Sequence, residues 1–98
     1  VPTYPPVIED LAVIVGESTP NAEVVNAILQ TGGFLLKRVD LFDIFRGEQV
    51  GAGNKSLAYR FTWQAPNRTL NDQEVGKLRE KVIQKLEKEL KAKVRKAE

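Results

Sequence analysis

The chain has 98 residues, of which 42% are hydrophobic and 29% charged, with a net charge of +2 and neither cysteine nor histidine. This composition is typical of one globular domain, and it excludes disulfides, zinc fingers, thiol nucleophiles, imidazole bases and membrane-spanning apolar runs. The charge is uneven, −3 over residues 1–76 and +5 over residues 77–98, which indicates either attraction to a polyanion such as RNA or a solvated helix face. We expect one cytoplasmic domain over residues 1–98, excised from something longer because no methionine is present.

The first half of the chain predicts a strand, a helix and a second strand. Residues 7–15 alternate apolar side chains and are rich in valine and isoleucine, which favours a strand. Thr19 before Pro20 predicts a helix N-cap with proline at the first helical position. The glycines at 32–33 end this helix, and residues 35–45 are the second predicted strand.

The second half predicts a loop, a strand, a long helix and a short closing strand. Residues 46–55 contain three glycines and predict a flexible hairpin connection. The clearest alternation in the chain follows, with apolar Leu57, Tyr59, Phe61 and Trp63. Asn71 and Glu74 fit a capping box, and apolar residues then recur every three or four positions to Leu90. Residues 92–95 predict a closing edge strand.

The order of elements (βαββαβ) predicts an α+β fold of the ferredoxin-like, split βαβ type. Two right-handed crossovers place both helices on one face of a four-stranded antiparallel sheet. The other face is then open to solvent, to a partner or to a ligand. Because many unrelated proteins share this topology, the topology alone does not identify a function.

Candidate RNA-binding residues lie where the second strand ends and the third begins. An open sheet face suits RNA, because unpaired bases stack on aromatic rings and are recognised by neighbouring polar groups. The candidates are Asp43 and Phe45 on the second strand, and Ser56, Ala58 and Arg60 on the third. Each of the first three has an ordinary alternative: Phe45 in the core, Asp43 as a turn cap, and Ser56 as a partner of a loop N–H.

The second strand contains a conflict in side-chain alternation. Asp43 and Phe45 have the same parity as Val39 and Leu41, which are expected to be buried. Either a β-bulge near Phe42 shifts the register, or the assignment of the inward face is wrong.

Arginine is the cation best suited to RNA, because its guanidinium binds phosphate through two N–H groups and stacks on bases. The candidates are Arg38, Arg46, Arg60 and Arg95. Arg68 is expected instead to brace the start of the second helix. Catalysis is not expected, since no phosphate-binding glycine loop is present and the neighbouring carboxylates of residues 9–10 should point to opposite faces.

Several segments together match one known family in the correct order over nearly the whole chain. They are residues 4–7, 10–12, 41–47, 55–60, 68–75 and 94–95. They resemble the ferredoxin-fold anticodon-binding domain, which ends the β subunit of bacterial phenylalanine–tRNA ligases. The Leu-Phe-Asp, Lys-Ser-Leu-Ala and Arg-Thr-Leu runs make the resemblance specific.

The resemblance implies recognition of the anticodon stem-loop of phenylalanine tRNA. In that family an aromatic residue at the position of Phe45 stacks on a base, Asp43 and Ser56 recognise it, and Arg95 is a plausible further contact. The family usually has tyrosine at position 45 and commonly a basic residue at position 9, where this chain has Glu9, whose carboxylate would repel phosphate.

The resemblance also implies partners and cofactors. The partners would be the tRNA, the other domains of the ligase and its α subunit, with no membrane. The domain itself would need no cofactor, because ATP and Mg²⁺ would act at a distant catalytic subunit. The alternative is a ferredoxin-like protein-interaction or regulatory module that does not bind RNA. Convergence of Asp43, Phe45 and Ser56 at an exposed place beside basic residues would favour RNA.

Overall fold

The computed structural model describes residues 4–96. A single-turn 3₁₀-helix, Glu48–Val50, lies between the second and third strands. The main elements in chain order are β1 (Val7–Gly16), α1 (Asn21–Gly32), β2 (Leu36–Phe45), β3 (Asn54–Trp63), α2 (Asp72–Leu90) and β4 (Lys93–Lys96). The predicted α+β, ferredoxin-like order is therefore confirmed.

The four strands form one sheet in the order β2-β3-β1-β4, and every neighbouring pair is antiparallel. The central strands β1 and β3 pair along their full length, from Val7 opposite Trp63 to Gly16 opposite Asn54. Both helices contact each other and share one core with a single face of the sheet. Within residues 4–96, no helix lies over the opposite face.

The core lies between the helices and the sheet. Alternate residues of β1 and β3 are at most 2% exposed: Leu11, Val13, Val15, Leu57, Tyr59, Phe61 and Trp63. From the helices, Val24, Ile28, Val82 and Leu86 are fully buried against them. Burial of each large apolar side chain contributes about 1.5–3 kcal/mol, so this layer holds the fold together. The predicted inward face of the third strand is confirmed.

A β-bulge resolves the conflict in β2. The register shifts between Leu41 and Asp43, so that Phe42 is an extra residue in β2 and Asp43 lies opposite Ala58. Leu41 therefore faces the core, whereas Asp43 and Phe45 face the open side of the sheet. The bulge predicted near Phe42 is confirmed, and the assignment of the inward face stands.

The start of α1 differs from the prediction. Pro20 is the N-cap, with extended φ and ψ of −70° and 146°, and no side chain caps the helix. The predictions of Thr19 as the N-cap and of Pro20 as the first helical residue were wrong by one position, because the Pro20 carbonyl accepts the first helical hydrogen bonds, from the N–H groups of Glu23 and Val24. The predicted end of the helix is confirmed at Gly33, whose φ of 74° suits glycine.

The start of α2 agrees with its prediction. The Asn71 side chain accepts a hydrogen bond from the Glu74 N–H, and the Glu74 carboxylate accepts one from the Asn71 N–H, each at 2.9 Å. Arg68 forms an ion pair with Glu74, so its predicted role at this helix start is confirmed. No helix within residues 4–96 is both long and apolar enough to cross a membrane.

The connection between β2 and β3 is shorter than the glycines of residues 46–55 predict. The 3₁₀ turn places Val50 in a buried position, 5% exposed, and β3 begins at Asn54. The Asn54 side-chain amide donates to the Val50 carbonyl at 2.9 Å, which ties the turn to the start of the strand.

Candidate nucleic-acid interface

The strand register places four side chains in one row across the open face of the sheet. Asp43 lies opposite Ala58, Ala58 opposite Ala12, and Ala12 opposite Arg95. Since strands are about 4.8 Å apart, the row spans about 14 Å. Ala58 and Ala12 have small side chains and leave space above the middle of the sheet. Asp43, with its carboxylate, and Arg95, with its guanidinium, lie at the two ends of the row.

An open concavity of about 510 Å³, here called the sheet concavity, lies over this row. It is lined by Ala12, Asp43, Phe45, Ser56, Ala58, Arg95 and Lys96. Five of the seven predicted RNA-binding residues therefore meet at one place. The other two, Arg46 and Arg60, do not line it.

Phe45 is exposed rather than part of the core. Its side chain is 45% exposed, and it lies on the open face opposite Ser56. A Cβ added to Gly47 would lie only 3.0 Å from Cζ of the ring, so the glycine leaves the room that the ring occupies. The alternative of Phe45 as a core residue is wrong, because the bulge in β2 turns it to the other face.

The polar neighbours of Phe45 differ in accessibility. Ser56 is 8% exposed, whereas Asp43 is exposed and takes part in no ion pair within residues 4–96. A carboxylate without a cationic partner retains its capacity to accept hydrogen bonds from a ligand. Asp43 and Ser56 thus present an acceptor and a hydroxyl beside one exposed ring.

Arg95 differs from the other arginines of the chain, of which there are six in all. Five are paired with carboxylates: Arg38 with Asp40, Arg46 with Glu17, Arg60 with Asp10, Arg68 with Glu74 and Arg79 with Glu9. Arg95 forms no ion pair in the part of the chain that the structure describes. Its planar guanidinium, with five N–H donors, is the one that borders the sheet concavity.

Arg60 and Arg46 are held by carboxylates next to the concavity. Arg60 donates to the two oxygens of Asp10 at 2.9 and 3.0 Å, and its guanidinium lies 5.0 Å from the ring centre of Phe42. These hydrogen bonds hold the pKa of the Asp10 carboxyl below its ordinary value. Arg46 forms a similar double hydrogen bond with Glu17.

Glu9 lies on the opposite side from the site. It accepts a hydrogen bond from Trp63 Nε1 at 3.0 Å and pairs with Arg79 of α2. The predicted opposite orientation of Glu9 and Asp10 is confirmed. The carboxylate of Glu9, which was expected to repel phosphate, is turned towards α2 and paired with Arg79 there.

Sequence reasoning missed Ala12 and Lys96 as lining residues. Ala12 is the one small residue within β1 before its final Gly16, and a small side chain in a strand leaves room above the sheet. Its position opposite both Ala58 and Arg95 depends on strand pairing across the whole chain. No local pattern in the sequence predicts which residues of different strands lie opposite one another.

The fold and this face together define a class of protein. A ferredoxin-like sheet whose uncovered face carries an exposed aromatic ring, an unpaired carboxylate and an unpaired arginine has the features of a single-stranded RNA-binding domain.

Comparison with known proteins identifies the family. A family model described as "Ferredoxin-fold anticodon binding domain" matches residues 2–95, and the chain belongs to this family. It is 45% identical over 94 residues to the phenylalanine–tRNA ligase β subunit of Moorella thermoacetica. The identity is 40% over 94 residues for that of Clostridium acetobutylicum and 42% over 95 residues for that of Listeria monocytogenes serotype 4b. These alignments cover 96–97% of this chain but 12% of each relative.

Proposed function

We propose that this chain binds the anticodon stem-loop of phenylalanine tRNA as part of a phenylalanine–tRNA ligase β subunit, and so supports aminoacylation of that tRNA. The proposal depends on one observation: Asp43, Phe45 and Ser56 lie together in the exposed sheet concavity, beside Arg95. Its partners are the tRNA, the other domains of the subunit and the α subunit, in the cytoplasm. ATP and Mg²⁺ act in the catalytic subunit of the ligase, and this domain uses no cofactor.

In this proposal Phe45 supplies the stacking surface. Its ring is on the open face and 45% exposed, so an extruded base reaches it without displacement of core residues. Stacking of a base on an aromatic side chain contributes about 1–3 kcal/mol and tolerates any base. The ring therefore gives affinity, and selectivity has to come from its polar neighbours.

Asp43 and Ser56 supply the selectivity. A carboxylate accepts two hydrogen bonds, and guanine presents two neighbouring N–H donors on its Watson–Crick edge. The Ser56 hydroxyl donates or accepts one further bond. Ala58 and Ala12 keep the floor of the concavity low enough for a flat base, and Arg95 binds the negative charge of the nucleotide from the other end of the row.

The alternative of an interaction module that does not bind RNA would be favoured by a buried Phe45 and a covered sheet face. The exposed ring and the unpaired guanidinium of Arg95 support RNA instead.

The test is a titration of the chain with the phenylalanine-tRNA anticodon stem-loop and with a loop whose first anticodon base is changed, at two salt concentrations. We expect preference for the unchanged loop, and persistence of that preference at the higher salt concentration. Phe45→Ala should weaken binding of the unchanged loop about 5- to 150-fold, which corresponds to the loss of one stacked base.

Phe34→Ala is the matched control, because this ring is 72% exposed and lies outside the sheet concavity. It should leave both affinities unchanged. Equal and strongly salt-sensitive binding of the two loops would contradict base recognition and indicate phosphate attraction alone. Absence of binding to either loop would favour the interaction module.

A further inference from the structure

A second concavity, of about 270 Å³, adjoins the sheet concavity at the end of β4. The end of β1, the 3₁₀ turn, the start of β3 and the segment from α2 to β4 form its walls, and its charged lining residues are Lys91, Lys93 and Arg95. No carboxylate of residues 4–96 lines it. We call it the basic groove. Arg95 lines both concavities, so the two lie side by side.

The cations of the basic groove have no counter-charge in the described part of the chain. Lys91, Lys93 and Arg95 form no ion pair there, whereas Lys55 and Lys85 each pair with a glutamate. All three side chains are exposed, so their N–H groups are available to donate to a bound anion.

Lys91 has an unusual backbone conformation. Its φ and ψ of 57° and 29° are left-handed, and it is the one non-glycine residue with positive φ within residues 4–96. It follows the last turn of α2, where glycine is the usual residue because it adopts this conformation without steric cost. The chain carries a cation at a position where glycine would be the less strained choice. The conformation ends α2 and places the exposed Lys91 in the lining of the basic groove.

We propose that the basic groove binds the phosphates of the RNA backbone next to the base held in the sheet concavity. This inference rests on the proposed function. Arg95 borders both concavities, so a nucleotide whose base lies on Phe45 has its sugar–phosphate chain directed towards Lys93 and Lys91. The ammonium groups bind phosphate as point charges, and the Gln49 side chain adds a polar group to the lining.

The basic face of α2 does not serve the same purpose. Lys77 and Lys81 belong to the helix that packs on the opposite face of the sheet. At 1.5 Å per residue, Lys77 lies about 21 Å along the helix from Lys91. That distance exceeds the Debye length of about 8 Å at physiological salt, so these charges are largely screened from the groove.

The test compares two double variants that each remove two positive charges. Lys91→Gly with Lys93→Gln alters the basic groove, and Lys77→Gln with Lys81→Gln is the control on α2. Affinity for the unchanged and the base-changed stem-loop is measured over a range of salt concentrations. Loss of two phosphate contacts should make the slope of log affinity against log salt shallower by about 1.4, and binding about 25-fold weaker near 0.1 M salt.

The groove variant should retain the same preference between the two loops, and its melting temperature should not fall, because glycine suits position 91. The control variant should keep the original slope. An equal change in both variants, or an unchanged slope in the groove variant, would overturn the inference. If the unmodified chain shows no preference but the groove variant still loses slope, the proposed function fails and the phosphate site stands. Binding of neither loop would overturn both.

Discussion

At the scale of single residues, the orientation of Phe45 depends on the missing side chain of Gly47. The φ of Gly47 is 164°, which is extended backbone that any residue adopts, so the backbone does not require glycine. The reason is steric: a Cβ would lie 3.0 Å from Cζ and 3.3 Å from Cε2 of the Phe45 ring. A methyl group would therefore displace the ring that the proposed function uses for stacking.

Gly47→Ala is expected to weaken binding of the cognate stem-loop about 3- to 10-fold, because a displaced ring keeps only part of the roughly 1–3 kcal/mol of stacking. The measurement is a double-mutant cycle with Phe45→Ala, in which the alanine at 47 should cost nothing further once the ring is absent. Gly76→Ala is the control, since its Cβ would meet only Arg79 at 3.6 Å. Equal losses in the presence and absence of the ring would contradict this role.

At the scale of elements, the bulge in β2 decides which residues reach the open face. Without the extra residue Phe42, Asp43 and Phe45 would keep the alternation of Val39 and Leu41 and face the helices. The alternation of side chains along β2 reveals this conflict of parity in the sequence and locates it to within a residue. The same alternation does not show that Asp43 and Phe45 lie on the same face as Arg95, because β4 lies at the far end of both the chain and the sheet.

A second feature at this scale is the capping box in the first turn of α2, where Arg68 adds a positive charge beside Glu74. The hydrogen bond from Arg68, and then that from the Asn71 N–H, hold the pKa of Glu74 below its ordinary value of 4.5. A carboxyl whose pKa is lower in the folded state stabilises the fold above its unfolded pKa, and this contribution is lost as the pH falls through the folded pKa.

Glu74→Gln should therefore melt below the unmodified chain at pH 7, because glutamine keeps the capping hydrogen bond but not the charge. The difference in melting temperature should shrink progressively as the pH falls below 4.5. Thermal unfolding over this pH range is the measurement. Glu80→Gln, at an exposed position of the same helix outside the described ion pairs, is the control. A difference that is constant with pH would contradict the argument.

At the scale of the whole molecule, the sheet separates stability from binding. The helices and the apolar core lie on one face, and the candidate RNA site lies on the other. Leu86 of α2 is fully buried in that core, whereas Ala58 lies in the floor of the sheet concavity. Substitutions on the two faces should thus affect different properties.

Leu86→Ala should lower the free energy of unfolding by about 2–5 kcal/mol, through lost burial and the cavity left behind. Stem-loop affinity should be unchanged at a temperature where the variant remains folded. Ala58→Leu should have the opposite effect. Its free energy of unfolding should be retained and its stem-loop affinity lost, because the larger side chain fills the floor of the sheet concavity. Urea denaturation and stem-loop titration of both variants are the measurements. Loss of affinity in folded Leu86→Ala would contradict the separation.

The sequence by itself determined the order of the elements, the capping box at Asn71 and the family resemblance, and it located the conflict near Phe42 that a bulge resolves. These features depend on contacts within a few residues, such as side-chain alternation along a strand, helix caps and glycine-rich turns. The prediction of Thr19 as a cap failed because the helix begins one residue later, where the Pro20 carbonyl accepts its first hydrogen bonds.

Only the tertiary structure decided which residues form the site. Ala12, Asp43 and Arg95 become neighbours through strand register between segments that are distant in the chain. The structure likewise decided which arginine is available, because Arg46 and Arg60 pair with carboxylates of other elements, whereas Arg95 pairs with none within residues 4–96. The physical reason is that pairing across a sheet joins residues by position in space, and a sequence pattern records only their spacing along the chain.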